Sequence, residues 1–259
     1  MEQTIKLTDS HFHILSLSEK GLDTNDLLER MEAQGMEAID IGTVSDDLPA
    51  RRKLLGGRNY PLSAGIGPWG VGQDIEELKR MIASYGPVCA IGEIGLDNHW
   101  KNYAAPLAQE TFLSEQIDLA DSLGLPVIFH VRDADEQIRR ILKSRPFPKG
   151  GIMHCFEGDD RTCDVALQTG FFISFSGVVT YKGNEWMEAI VRMVPDDRLL
   201  LETDSPYLSP VPLRGLKNTP LSIIHTYEKV AEIRKTTVES LATIVRTNLH
   251  AFLAAGHTA

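Results

Sequence analysis

The chain has 259 residues, with 26 Lys and Arg against 36 Asp and Glu, a formal net charge of −10. With 42% hydrophobic and 24% charged residues, it has the composition of a globular protein long enough to bury a large core without disulfide staples. No run of 18 apolar residues predicts a membrane span, Met1–Thr4 lacks the basic and apolar regions of a secretory signal, and the net acidity argues against broad wrapping of duplex nucleic acid.

The first strand candidate is Ile5–Asp9. A helical pattern over Thr24–Gln34 opens with a Thr/Asp cap and sets Leu27, Leu28 and Met31 on one face. Strand candidates Ala38–Gly42 and Pro61–Ile66 follow, then a helix over Asp74–Tyr85 carrying Ile75, Leu78, Met81 and Ile82. Val88–Glu93 reads as a strand, Leu107–Leu123 as a helix, Pro126–His130 as a strand and Ala134–Lys143 as a helix. The same alternation continues through Gly151–His154, Asp160–Thr169, Phe171–Ser174, Glu185–Met193 and Leu199–Thr203. Helices over Leu221–Arg234 and Val238–Leu253 finish the chain. Most strands are apolar without alternation, as strands covered on both faces are.

Strict alternation means parallel strands joined by crossover helices. Eight units of about 32 residues each predict an α/β fold, a (β/α)8 TIM-type barrel, as a single domain over 1–259. An open doubly wound sheet is the rival. The one long irregular stretch is Pro206–Pro220, with four prolines in fifteen residues. Long loops in compact domains tend to be functional. The three cysteines, Cys89, Cys155 and Cys163, form no Cys-x-x-Cys pair, which predicts free thiols in a reducing cytoplasm.

Barrel chemistry sits at the carboxyl ends of the strands. Strand 1 ends in Asp9-Ser10-His11-Phe12-His13, and residues i and i+2 point the same way along an extended chain. Glu93, His130, His154 and Asp204 stand at the ends of strands 4, 5, 6 and 8. A lone histidine there is usually a hydrogen-bonded core residue, and a lone carboxylate is often a helix cap. Four imidazoles and two carboxylates converging from five strands are costly to bury unless something compensates them. Divalent cations suit this mixture: Zn, Mn, Fe, Ni or Co, and Mg less comfortably. Six donors exceed the usual three protein ligands of one catalytic metal, so two metals sharing Glu93 fit better. Two such ions activate a shared water and clamp an in-line displacement, which implies hydrolysis.

These residues stand in a recognisable order. Asp9-Ser10-His11-Phe12-His13, Gly92-Glu93-Ile94-Gly95-Leu96-Asp97, Phe129-His130-x-Arg132-Asp133-Ala134, His154-Cys155-Phe156, Glu202-Thr203-Asp204-Ser205-Pro206 and Pro212-Leu213-Arg214-Gly215 follow one another along the chain. The sequence resembles the TatD family of metal-dependent deoxyribonucleases, within the amidohydrolase-like barrel superfamily. The resemblance runs nearly the whole length, to Thr247-Asn248-x-x-x-Phe252. It implies that His11, His13 and Asp204 hold one divalent ion, that His130 and His154 hold another, and that Glu93 bridges them. It also implies 3′-to-5′ exonuclease action on single-stranded DNA. The chain departs from the family pattern at four places. The Gly-x-His-Pro-His segment reads Gly65-Ile66-Gly67-Pro68-Trp69, the Tyr before the His-Trp pair is Asn98, His-Cys-Phe-Ser/Thr-Gly has Glu157, and Asn-Glu-Pro has Thr219. None removes a metal ligand, and all lie where substrate should touch. Gly65-x-Gly67-x-x-Gly70 also matches a dinucleotide fingerprint, but Pro68 sits in the turn and no acidic partner follows.

Phosphodiester hydrolysis is therefore expected, with Asp204 as proton acceptor for the attacking water and Glu93 at the catalytic centre. Arg132 and Arg214 are candidate phosphate anchors, since Arg makes planar bidentate contacts. For Arg132 the bland alternative is an ion pair with Asp133 or Asp135. His99 and Trp100 are candidates to hold a base or ribose, with stacking worth about 1–3 kcal/mol per base; Trp100 reads equally well as a packed loop anchor. Phe156 and Tyr207 are expected to pack rather than to touch substrate. Glu202 reads at least as well as a structural carboxylate as it does as a direct participant, and Cys155 reads as a small buried residue. His225, His250 and His257 are assigned no function. The expected partner is DNA, with no membrane and no obligate protein partner, and a monomer is the default. Two alternatives remain: a metallohydrolase of another ester or amide, such as a small molecule or an aminoacyl-tRNA ester, and a barrel that keeps its metals but serves as a scaffold.

Overall fold

Eight parallel strands form the wall of the computed structural model, whose described residues are 5–256. They are β1 (Thr8–Phe12), β2 (Glu37–Asp40), β3 (Ser63–Ala64), β4 (Ala90–Asp97), β5 (Val127–Arg132), β6 (Gly151–Met153), β7 (Phe171–Phe175) and β8 (Leu199–Leu201). Strands β3 to β8 pair in sequence order, and β1 pairs with β2. Single parallel bridges, Asp40 to Leu62 and Phe12 to Ser205, join the two sheets and close the ring. The closed barrel removes both sheet edges, which the open-sheet alternative would leave. Met1–Thr4 and His257 lie outside the described residues.

Ten helices cover the ring among the described residues: α1 (Ile14–Glu19), α2 (Thr24–Ala33), α3 (Leu48–Leu55), α4 (Ile75–Tyr85), α5 (Pro106–Leu123), α6 (Asp135–Ser144), α7 (Asp160–Gln168), α8 (Met187–Met193), α9 (Ile224–Arg234) and α10 (Val238–Ala255). Their starts are written in the sequence. Asp23, Asp74, Asp159 and Thr237 each accept a backbone N–H of the first turn of α2, α4, α7 and α10. Such caps contribute about 1 kcal/mol each. Gly56 and Gly124 end α3 and α5 in the left-handed conformation.

The sequence pattern locates all eight strands but misses α1 and α3. Helix α3 was hidden because its inward face carries Arg51, which is 1% exposed. Its guanidinium meets Asp40 Oδ2 at 2.8 Å and Asp47 Oδ1 at 2.9 Å, and donates to the Ser63 carbonyl. A charged residue thus takes the place of an apolar one, compensated by partners that only the fold supplies. Strand limits also differ: β1 begins at Thr8 rather than Ile5, and β4 continues to Asp97. Both shifts bring more of the strand-end polar residues into the wall itself.

Helix α5 packs Phe112, Leu113, Ile117 and Ala120 inward, all buried. Two buried glutamines on it hold the barrel's rim. The Gln116 amide accepts from Ile66 N and donates to Ile66 O, each at 2.8 Å. The Gln109 amide does the same for Asp97, at 2.8 and 2.9 Å. At Gly95, φ is +156° and an added Cβ would run into the His130 carbonyl, so β4 can lie against β5 only with glycine there.

Candidate metal centre

Strand β1 and the residue after it place His11 and His13, β4 places Glu93, β5 places His130, and the segments after β6 and β8 place His154 and Asp204. All six come together at the carboxyl end of the barrel. Glu93 lies at the centre and is 2% exposed. Its Oε2 faces His11 Nε2 at 3.4 Å and His13 Nε2 at 3.8 Å. Its Oε1 faces His130 Nδ1 at 2.8 Å and His154 Nε2 at 3.2 Å. One carboxylate oxygen therefore serves each histidine pair. Asp204 Oδ1 joins the first pair, 3.2 Å from His13 Nε2 and 3.7 Å from His11 Nε2.

The outward nitrogens of three imidazoles are held by acceptors, which sets the state of the inward ones. His13 Nδ1 meets the Ile41 carbonyl at 3.2 Å, His130 Nε2 meets Asp97 Oδ2 at 3.1 Å, and His154 Nδ1 meets Glu202 Oε1 at 2.9 Å. A neutral imidazole that donates through one nitrogen presents a lone pair at the other. His130 Nδ1 and His154 Nε2 face each other at 3.3 Å, with Glu93 Oε1 against both. The rings of His11 and His154 stack at 3.9 Å. Imidazole nitrogens and carboxylate oxygens turned toward one another in this way are the donor set of a cation site, and the residues fit divalent ions. His11, His13 and Glu93 form one group able to hold a metal, and Glu93, His130 and His154 form another.

Carboxylate charge in the cluster favours protonated His154 and His130, and those are protons that a bound cation would displace. Burial disfavours the Glu93 carboxylate, yet His154, His11 and His130 hold its pKa well below the usual range. Burial likewise opposes protonation of His154, but Glu202 and Glu93 raise it well above the ordinary histidine value. His11, with its ring against His154, is lowered by burial and by that neighbour. Asp204 stays low despite burial, because His13 and His154 favour its charge.

Asp97 escaped the sequence reading. It is 2% exposed, binds His130 and accepts from His99 N at 2.9 Å. The signal was present: Glu93, Gly95 and Asp97 alternate on one face of an extended strand. Glu202 does what a structural carboxylate should, holding His154 and accepting from Cys155 N at 2.9 Å. Beneath the cluster, Asp9 accepts from His11 N, Thr203 N and Thr203 Oγ1. Asp133, Cys155 and Asp204 all have φ between 42° and 53°, a region that side chains seldom occupy and that clusters at functional sites.

A cavity of about 670 Å³ opens over the cluster. Arg132 lines it and makes no ion pair among the described residues. The alternative pairing is absent because Asp133 binds His99 Nδ1 at 3.0 Å and Asp135 accepts from Thr162 Oγ1. Arg132 instead lies 5.7 Å from the Trp100 ring centroid. Trp100 also lines the cavity, half exposed, whereas His99 leans on Trp100 and on Asp133 outside it. Arg214 stacks on Tyr181 at 3.8 Å, and it is Tyr181 that lines the cavity. Phe156 is buried as expected, but Tyr207 lines the cavity with its ring 6.0 Å from His13. Glu157 is on the wall too; burial raises its carboxyl and Arg132 opposes the rise. The Cys155 thiol is pushed well up by burial and by Glu202, the reverse of a reactive thiolate. Gly65 and Gly70 pack against Gly92 and Ile66, so the dinucleotide motif is spent on close packing.

The barrel and its clustered imidazoles and carboxylates are those of a metal-dependent hydrolase. A family model described as TatD related DNase matches residues 8–254. The chain belongs to the TatD family. It is 37% identical to the uncharacterized metal-dependent hydrolase YcfH of Escherichia coli K12, over 93% of each chain. It is 36% identical to the uncharacterized metal-dependent hydrolase YabD of Bacillus subtilis, over 93% of this chain and 96% of that one. The crystal structure of YjjV, a TatD homologue from E. coli K12, superposes with a TM-score of 0.85 at 24% identity, over 96% of this chain and 98% of that one.

Proposed function

We infer that the protein is a deoxyribonuclease that hydrolyses phosphodiester bonds of DNA, working on single strands from the 3′ end. The observation that carries this reading is Arg132, which makes no direct ion pair among the described residues and lines the same cavity as the histidine–carboxylate cluster. A planar guanidinium suits a phosphate, and a neutral ester or amide has no need of one. The family description, TatD related DNase, points the same way.

His11, His13 and Asp204 would hold one divalent ion and His130 and His154 a second, with Glu93 giving one oxygen to each. Such ions supply Lewis-acid stabilisation of the charge that develops on the phosphate oxygens. Arg132 binds a non-bridging oxygen and fixes the phosphate against the cluster. Asp204, kept deprotonated by His13 and His154, takes the proton of the attacking water. Water adds across the P–O bond and leaves a phosphate monoester and an alcohol. Asp97, Glu202 and the Ile41 carbonyl keep three imidazoles turned inward. A cytoplasmic location goes with this reading: all three cysteines are free, and among the described residues no helix is long and apolar enough to cross a membrane.

The test is end-labelled single-stranded DNA incubated with the protein under Mg²⁺ or Mn²⁺, beside Asp204→Asn. Stepwise shortening by the parent and its loss in the variant are expected. Intact DNA alongside cleavage of a generic aryl ester would overturn the nuclease reading and leave a metallohydrolase of another ester.

A further inference from the structure

Two departures from the family's pattern, Gly67 and Trp69, are one feature in space. An ideal Cβ built on Gly67 would fall within the indole of Trp69, 2.8 Å from Cη2 and nearer still to two other ring atoms. The indole therefore occupies the volume that a side chain at 67 would need. Where the family pattern has two imidazoles, this chain has one large ring and the space for it.

That ring is well placed. Its centroid is 5.5 Å from that of His130, nearly edge-on at 83°, and 6.2 Å from that of Tyr103. Trp69 lines the cavity with Trp100, Tyr103 and Arg132, and 37% of its surface is exposed. Its support is rigid. Gln116 clamps both backbone groups of Ile66, and Gly67 N donates to the Thr43 carbonyl at 3.0 Å. A tryptophan kept partly bare on a fixed backbone, beside a cluster ligand, is a surface for another ring. Two imidazoles would offer hydrogen bonds and a titratable charge there; indole offers a π-face and one N–H.

We propose that Gly67 and Trp69 form an aromatic subsite that stacks a nucleobase of the nucleotide whose phosphate lies at the metal centre. The subsite rests on the phosphodiesterase reading, and it shifts recognition at this place from polar contacts toward stacking. Stacking is tolerant of base identity, so the subsite selects a base-bearing strand over a bare sugar–phosphate chain without selecting sequence.

The experiment compares the parent, Trp69→Ala, Trp69→Phe and Gly67→Ala on thymidine dinucleotide and on its two forms lacking one base each, under Mn²⁺. Trp69→Ala and Gly67→Ala should raise KM about tenfold on the base-bearing dinucleotide. On the form lacking the stacked base neither should change KM by more than about twofold. Trp69→Phe keeps a ring and should retain most of the affinity, which separates lost stacking from lost folding. Equal penalties on base-bearing and abasic substrates, or none on either, would overturn the subsite. A second readout needs no turnover. With Trp100 and Trp186 replaced by Phe, thymidine monophosphate should saturably quench the emission of Trp69 in the metal-free protein. If the parent cleaves no phosphodiester, the nuclease reading fails by itself, and the titration alone decides: saturable quenching supports the subsite and an unchanged spectrum rejects it.

Discussion

Glu202→Gln isolates the part that a buried carboxylate plays behind a metal ligand. Glu202 is fully buried, with Oε1 on His154 Nδ1 and on Cys155 N, each at 2.9 Å, and Oε2 without a hydrogen-bond partner. Glutamine keeps the shape, and its carbonyl can accept both contacts. It removes the negative charge that favours His154 as a donor, and it sets an NH₂ group where no acceptor lies. Removing such an outer partner lowers metal affinity by about 10- to 100-fold, or about 1.4–2.7 kcal/mol. Oε2 is already unpaired in the parent, so the stability cost comes from losing the charge-assisted contact with His154, about 1.5–3 kcal/mol, a fall in Tm of several degrees. The assay titrates metal-free protein with Mn²⁺ or Zn²⁺ against a chromophoric chelator, with melts recorded in EDTA. A lowered Tm with metal affinity within about twofold of the parent would refute the reasoning, because Glu202 would then support the fold alone.

Arg51→Met leaves Asp40 as a buried carboxylate without its cation. Breaking such a pair costs about 3–5 kcal/mol, so Tm in a thermal melt should fall by about ten degrees, and a change under two degrees would contradict it. Asp9 gives a pH test. Burial raises its carboxyl from 3.8 to about 8. Below about pH 4 folded and unfolded chains both hold the proton; above that only the folded chain keeps it, and stability declines by up to about 1.4 kcal/mol per pH unit until about pH 8. Asp9→Asn lacks that slope. Urea unfolding in EDTA should show the parent losing ground to the variant as pH rises from 5 to 8, and a pH-independent difference would count against the protonated Asp9.

Much of this protein is legible along the chain, because periodicity and capping act locally. Short apolar runs bounded by turn residues mark the strands, and Asp23, Asp74 and Asp159 mark helix starts by satisfying N–H groups two or three residues away. The six polar residues of the cluster stand out because each follows an apolar strand, and parallel strands bring their carboxyl ends to one mouth. What the chain does not reveal is pairing across it. Arg51 reads as a surface residue until Asp40 and Asp47 neutralise it inside the wall. Asp97 and Glu202 look like caps or bystanders until His130 and His154, from other strands, turn a nitrogen toward them. Gly67 and Trp69 read as two losses until the ring is seen filling the space beside the glycine. Hydrogen-bond partners and shared volume are set by distances between residues far apart in sequence, and only the closed barrel makes those distances short.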